Sequence, residues 1–313
     1  MRIAIIDLGT NTFNLLIAEI FPDGQHKRLF NVKNSVKLGE GGITKDVIEV
    51  VPFQRGIKTL IEYKKIIFEH QVEKIISLGT SAIRGASNGN EFIIEVKKHT
   101  DIFVEMISGD REAELIYYGT RSALNIGNKN ALIMDIGGGS TEFIIANNDK
   151  IVWKKSFLLG IARLLEKFSP SDPITENEIL ALENYLKTEL QDLEKALLKF
   201  PVQELIGSSG VFDSFAEMIV CQFYPHIQLH EQSEFVFDLA DFEKIHQQII
   251  RTTKAERYHL KGLIEMRIEM VVISSIFVNL VLKNFNLTKM RLSTFALKEG
   301  VLWELLQKME FKK

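Results

Sequence analysis

The sequence predicts an α/β protein of two similar lobes, each with a mixed β-sheet, and a cleft between them. Three observations carry this expectation. The segment Asp7-Leu-Gly-Thr-Asn-Thr-Phe-Asn-Leu-Leu-Ile aligns without a gap on Asp135-Ile-Gly-Gly-Gly-Ser-Thr-Glu-Phe-Ile-Ile. In both halves, short apolar runs of strand character give way to segments of helical periodicity. The chain has 313 residues, which fits two domains better than one core.

The elements follow in chain order. Each copy of the echo lies behind an apolar strand ("RIAII", "ALIM") and enters a second one ("FNLLIAEI", "TEFIIANN"). A polar turn then leads to a third ("KRLFNV", "KIVWKKSF"), so each copy reads as a three-stranded meander. Residues 44–70 are amphipathic, with Pro52 marking a break or an early turn. "VEKIISLGT" and "IFVEMISG" read as short buried strands, each followed by a helix. Residues 175–200 open on a Thr175/Glu178 capping box and continue at helical spacing. "QELIGSSG" is a strand running into a glycine-rich turn, residues 266–283 a buried helix, "MRLST" a strand, and a closing helix starts near Phe295. Meander, helix, strand and helix, twice over, place the lobes at 1–124 and 125–313, with 295–313 packing back on the first. Ligands in such folds gather at the carboxyl ends of strands, in the cleft.

Composition narrows the function. The net charge of −3 gives no support for general nucleic-acid affinity. The single cysteine, Cys221, excludes an intrachain disulfide and is expected as a small buried apolar residue, in a reduced, cytoplasmic setting. The N-terminus lacks the shape of a signal peptide, and "MVVISSIFVNLVL" is too short to span a bilayer, so no membrane partner is expected. The seven histidines form no zinc-ligand spacing.

The paired loops carry the chemistry. Gly137, Gly138 and Gly139 would take positive φ and turn their N–H groups onto one anion, with Ser140 and Thr141 adding hydroxyls. Gly9, Thr10, Asn11 and Thr12 offer the same mixture in the first copy. Asp7 and Asp135 end their strands and Glu142 follows the second loop. At about 4 Å and an effective dielectric near 20, an acid beside a phosphate costs about 4 kcal/mol. A divalent cation between them, such as Mg²⁺ sharing carboxylates and phosphate oxygens, removes that conflict. The plainer alternative is that an aspartate only shapes its turn. After "IFVEMI", Asp110 would cap a helix and Glu112 would sit in its first turn, where the helix dipole favours an acid.

"IDLGTNTFNLLIA" and "MDIGGGSTEFIIA" resemble the phosphate-binding motifs of the acetate/sugar kinase, chaperone ATPase and actin superfamily. Within it, "VKLGEGGIT", "LGTSAIRGASNGNEF" and "ISGDREAELIYYG" are similar to the exopolyphosphatase and guanosine pentaphosphate phosphohydrolase family, in its short two-domain form. The resemblance implies actin-like (ribonuclease H-like) lobes and an Mg²⁺-dependent release of terminal phosphate from polyphosphate, guanosine pentaphosphate or both. It places the general base on Glu112 and a substrate contact on Arg84. It also brings in Ser208, Ser209 and Gly210 of "IGSSGVFDSF" as donors in the second lobe, and Asp135, Glu142 and Asp7 as the metal site. Lys37, Val211, Glu269 and Lys298 depart from the family pattern, whereas Arg267 matches it. An exposed apolar helix face would support a homodimer. A small-molecule kinase of the same superfamily and a weakly catalytic polyphosphate- or alarmone-binding module are the competing readings.

Overall fold

A computed structural model of the chain describes residues 1–208 and 210–310. The first half runs β1 (Arg2–Leu8), β2 (Thr12–Ile20), β3 (His26–Ser35), α1 (Val50–Glu69) and β4 (Lys74–Gly79). It continues through α2 (Ser81–Gly85), α3 (Gly89–Thr100), β5 (Val104–Met106) and α4 (Gly109–Ala123). The second half opens with β6 (Ala131–Ile136), β7 (Thr141–Ala146), β8 (Ile151–Phe157), α5 (Ile161–Phe168), α6 (Glu176–Glu189) and α7 (Gln191–Lys199). Then come β9 (Glu204–Ser208), α8 (Gly210–Phe223), β10 (Glu234–Phe237), α9 (Leu239–Arg251) and α10 (Lys254–Arg257). α11 (Val271–Asn284), β11 (Lys289–Ser293) and α12 (Leu297–Glu310) are the last elements among the described residues.

The strands form two mixed sheets, ordered β3-β2-β1-β4-β5 and β8-β7-β6-β9-β11-β10. Each meander is antiparallel, and its first strand pairs in parallel with the strand after the helical crossover. The echo in sequence is therefore an echo in topology. The second sheet adds β10, an edge strand whose four residues alternate between exposed and buried. That strand and α9 were not foreseen, because neither carries a glycine-rich turn or a long apolar run.

Side-chain alternation divides each sheet between two cores. On β1, Ala4, Ile6 and Leu8 pack with α1 and α3 through Leu60, Tyr63, Phe92 and Val96. On β6, Leu132, Met134 and Ile136 pack with the helices of the second half through Phe215, Ile245 and Phe277. The opposite faces, Ile3 and Ile5 of β1 and Ala131 and Ile133 of β6, share one cluster with Ile116 of α4 and Leu297, Val301 and Leu302 of α12. α4 and α12 are thus the layer common to both sheets. α11 is buried from Val271 to Leu282, as its composition requires, and no helix among the described residues is long and apolar enough to cross a membrane. The Thr175/Glu178 capping box is present and Pro52 lies in the first turn of α1, where no helical hydrogen bond is lost.

Two expectations need correcting. Cys221 is exposed on α8, because the apolar face of that helix is already filled by its phenylalanines and aliphatic residues. α4 is capped by Ser108, whose side chain accepts from the Arg111 N–H, and Asp110 lies one residue inside the helix.

α4 and α12 approach through glycines. A Cβ on Gly119 would lie 2.0 Å from the Ala296 carbonyl oxygen, and one on Gly300 would lie 1.8 Å from that of Leu115. Neither obstacle is a side chain that can rotate away, so Gly119→Ala should force the helices apart. Urea denaturation is expected to show a loss of about 1–3 kcal/mol.

Candidate active site

The loop after β1 and the loop after β6 close by the same bond: Gly9 N–H donates to the Thr12 carbonyl at 3.1 Å and Gly137 N–H to that of Ser140 at 3.0 Å. Alternation then sets the acids. Asp7 and Asp135 share the parity of Ile3, Ile5 and Ile133, so they face the α4–α12 layer at the carboxyl ends of β1 and β6. Pairing extends each into a row across its meander, Asp7–Asn14–Lys33 in the first sheet and Asp135–Glu142–Ser156 in the second. The echo breaks in these rows. The first holds an acid, an amide and a base; the second holds two acids and a hydroxyl.

The glycines serve a different purpose from the one foreseen. None of Gly137, Gly138 and Gly139 has a positive φ. They are bare because the two loops touch: a Cβ on Gly138 would lie 2.7 Å from the Asn11 side chain, and one on Gly139 would lie 2.7 Å from both Thr10 Oγ1 and Ser81 Oγ. The loop carbonyls are consumed elsewhere. Those of Gly137 and Gly138 accept from Ile161 and Ala162 at the start of α5, and those of Thr10 and Asn11 accept from Gly39, Val36 and Lys37. The N–H groups of Thr10, Asn11, Gly138 and Gly139 have no acceptor among the described residues. Four donors thus border a cleft that is also lined by Asp7, Thr12, Glu112, Asp135, Ser140 and Gly210. Ser81 lines it as well, and its buried Oγ has no partner among the described residues.

Four expected residues do not line the cleft. Thr141 is fully buried and donates its hydroxyl to the Leu159 carbonyl at 2.9 Å. Ser208 donates to the Phe295 carbonyl at 3.3 Å. Arg84 donates from one guanidinium nitrogen to the Ile107 carbonyl at 2.8 Å and to Glu112 Oε2 at 3.0 Å, so that nitrogen is engaged by α4 and the chain before it and not by the open cleft. Glu142 lies behind Asp135, directly across the β6–β7 pair, with Ser156 Oγ donating to its Oε1 at 2.6 Å. Ser209 lies outside the described residues.

At the start of α8 the cleft gathers three cations, Lys33, Arg267 and Lys298, around an acid, Asp213, whose charge acts on Lys33 and Arg267. Lys33 Nζ and the Arg267 guanidinium both lie against Gly210, the first residue of α8; a Cβ there would be 2.6 Å from the one and 2.0 Å from the other. Lys298 joins them in lining the cleft. Among the described residues Arg267 makes no hydrogen bond through its guanidinium, although only 8% of the residue is exposed. Lys33 was missed because its place depends on the register of β3, which no local motif encodes. Lys37 and Glu269, two departures from the family pattern, meet each other at 3.2 Å, and Glu269 also takes Lys254 at 2.6 Å.

Both ends are electrostatically unfinished. Burial raises Glu142 to about 7, with the Asp135 charge adding to the rise and Ser156 and Ser140 opposing it. Burial and then the Glu142 charge hold Glu112 well above the usual carboxylate range, while Arg84 works against them. Burial carries Asp7 to about 6 against the Asn14 hydrogen bond of 2.9 Å. At the other end, burial and the neighbouring Arg267 bring Lys33 down to about 8. Among the described residues no three acidic, histidine or cysteine side chains form an all-protein metal cage. The Asp135–Glu142 pair, opposed across one hairpin and crowded as anions, fits a hard cation that keeps waters and takes oxygens from a ligand.

The profile of the Ppx/GppA phosphatase family matches residues 16–309. An exopolyphosphatase of Cytophaga hutchinsonii is similar in structure, with a TM-score of 0.95 and 42% identity over 98% of both chains. The Aquifex aeolicus member of the Ppx/GppA family gives 0.80 and 27%, again over 98% of both. The guanosine-5'-triphosphate,3'-diphosphate pyrophosphatase of Photobacterium profundum is 25% identical over 98% of this chain, which spans 59% of that longer protein.

The raised Glu142 carboxyl ties stability to pH. The native state keeps a proton that the unfolded chain releases above about 4.5, so this contribution is complete below that pH and is lost as pH rises through about 7. In metal-free buffer the melting temperature should therefore fall across that window, and Glu142→Gln should flatten the fall. An equally steep fall in the variant would count against it.

Proposed function

The chain belongs to the Ppx/GppA phosphatase family, and from that membership we propose that it removes terminal orthophosphate from inorganic polyphosphate, guanosine pentaphosphate or both. The observation that carries the reading is a cleft that holds Glu112 and is lined by residues of two loops whose N–H groups have no acceptor among the described residues. The N–H groups of Thr10, Asn11, Gly138 and Gly139, with the Ser81 hydroxyl, cradle the terminal phosphoryl oxygens. Lys33, Arg267 and Lys298 draw the rest of the anionic chain toward the start of α8.

Glu112 takes the proton of a water as its oxygen attacks the terminal phosphorus, and the bond to the bridging oxygen breaks, leaving the shortened chain as a phosphate anion. Arg84 holds the Glu112 carboxylate in place through Oε2. Asp135 and Glu142 would hold a divalent cation such as Mg²⁺, with Asp7 nearby in the cleft. When bound, that cation neutralises charge on the phosphoryl oxygens. Little covalent chemistry is asked of the protein beyond positioning and electrostatics. The free thiol of Cys221 is consistent with a reducing, cytoplasmic compartment.

Phosphate release measured on both substrates, with Mg²⁺ and with a chelator, tests this reading. Activity on at least one, abolished by the chelator, is expected. ATP-dependent phosphorylation of a small acceptor without release from either substrate would replace it with a kinase. Glu112→Gln should lower kcat by about 10²- to 10⁴-fold while KM changes little, because the amide cannot accept the proton. Near-wild-type turnover would remove Glu112 from the role of base.

A further inference from the structure

The row Asp135–Glu142 ends on Ser156, a residue with no part in the reaction outlined above. Ser156 lies directly across β7–β8 from Glu142, and its single hydroxyl proton goes to Glu142 Oε1 at 2.6 Å. The same side chain is wedged against α4. A Cβ on Gly109 would lie 2.4 Å from Ser156 Cβ and 2.7 Å from Ser156 Oγ. Gly109 is the first residue of the helix that carries Glu112 one turn later. One hydroxyl therefore touches both the acid behind Asp135 and the start of the helix that presents the base.

We propose that Ser156 is a positioning residue. It fixes the plane of the Glu142 carboxylate for the divalent cation and, through Gly109, sets the height of Glu112 against it. This rests on the phosphohydrolase reading. The terminal torsion of a glutamate is broad, so a carboxylate without this bond samples many orientations. Groups that orient a metal ligand govern affinity by about 10- to 100-fold. Gly109 follows from the same geometry, since a methyl there would displace the hydroxyl from Glu142.

Mn²⁺ binding followed by electron paramagnetic resonance, without substrate, tests the proposal apart from turnover. Ser156→Val and Ser156→Thr have nearly equal volume, and only threonine keeps the hydroxyl. Ser156→Val is expected to weaken Mn²⁺ binding by about tenfold, with Ser156→Thr close to wild type and both melting near the same temperature. Gly109→Ala should reproduce the valine variant. In phosphate release, the valine loss should fall on kcat and on the Mg²⁺ requirement, with KM for polyphosphate little changed. If Ser156→Val binds Mn²⁺ as wild type does while Glu142→Gln does not, the role of Ser156 is overturned and the metal assignment stands. If Glu142→Gln also leaves Mn²⁺ binding unchanged, Glu142 is not a ligand and the proposal falls with that assignment.

Discussion

Parity along two strands governs the site. Side chains of a strand alternate between faces, so Asp7 and Asp135 can meet the α4–α12 layer only because Ile3, Ile5 and Ile133 already do. A slip of one residue in either hairpin would turn its acid into the outer core and bring an aliphatic side chain into the cleft. The bonds from Gly9 to Thr12 and from Gly137 to Ser140 hold both registers at the place where the acids leave the sheet. α4, buried between the sheets, then delivers Glu112 to the same level. Packing and chemistry are specified by one periodicity.

The two halves share geometry and differ in charge. Asn14 and Lys33 occupy in the first row the positions that Glu142 and Ser156 occupy in the second. The first row balances its acid with a base, whereas the second gathers two acids and leaves Glu142 raised to about 7. At the far end Lys33 and Arg267 crowd one another beside α8. Asp213 lies among these cations, and the cleft is bordered by N–H groups with no acceptor among the described residues, a setting that a metal-bound phosphate chain would complete.

Much of this was legible in the sequence because it is local. The gapless echo implied equivalent turns, and both hairpins pair as that alignment requires, Asp7 with Asn14 and Asp135 with Glu142. The Thr175 capping box and the helix of Val271–Asn284 are likewise written in a few adjacent residues. What stayed hidden depends on contacts between distant segments. Lys33 enters through the pairing of β3, and Arg84 is engaged by an acid 28 residues away. The glycine triplet reads in sequence as a request for positive φ, but it answers to Asn11, Thr10 and Ser81 of the opposite loop. A bare backbone that exists to be approached cannot be told from one that exists to turn until the approaching residue is known.

The central proposal is that Asp135 and Glu142, paired across the second hairpin, would hold the divalent cation. Crystals grown with Mn²⁺ and a short polyphosphate, and measured at the manganese absorption edge, test it most directly. A single anomalous peak is expected within coordination distance of Asp135 or Glu142, with a phosphate oxygen completing the site. A peak centred between Asp7 and Asn14, or bound phosphate with no peak beside Asp135 and Glu142, would contradict the account.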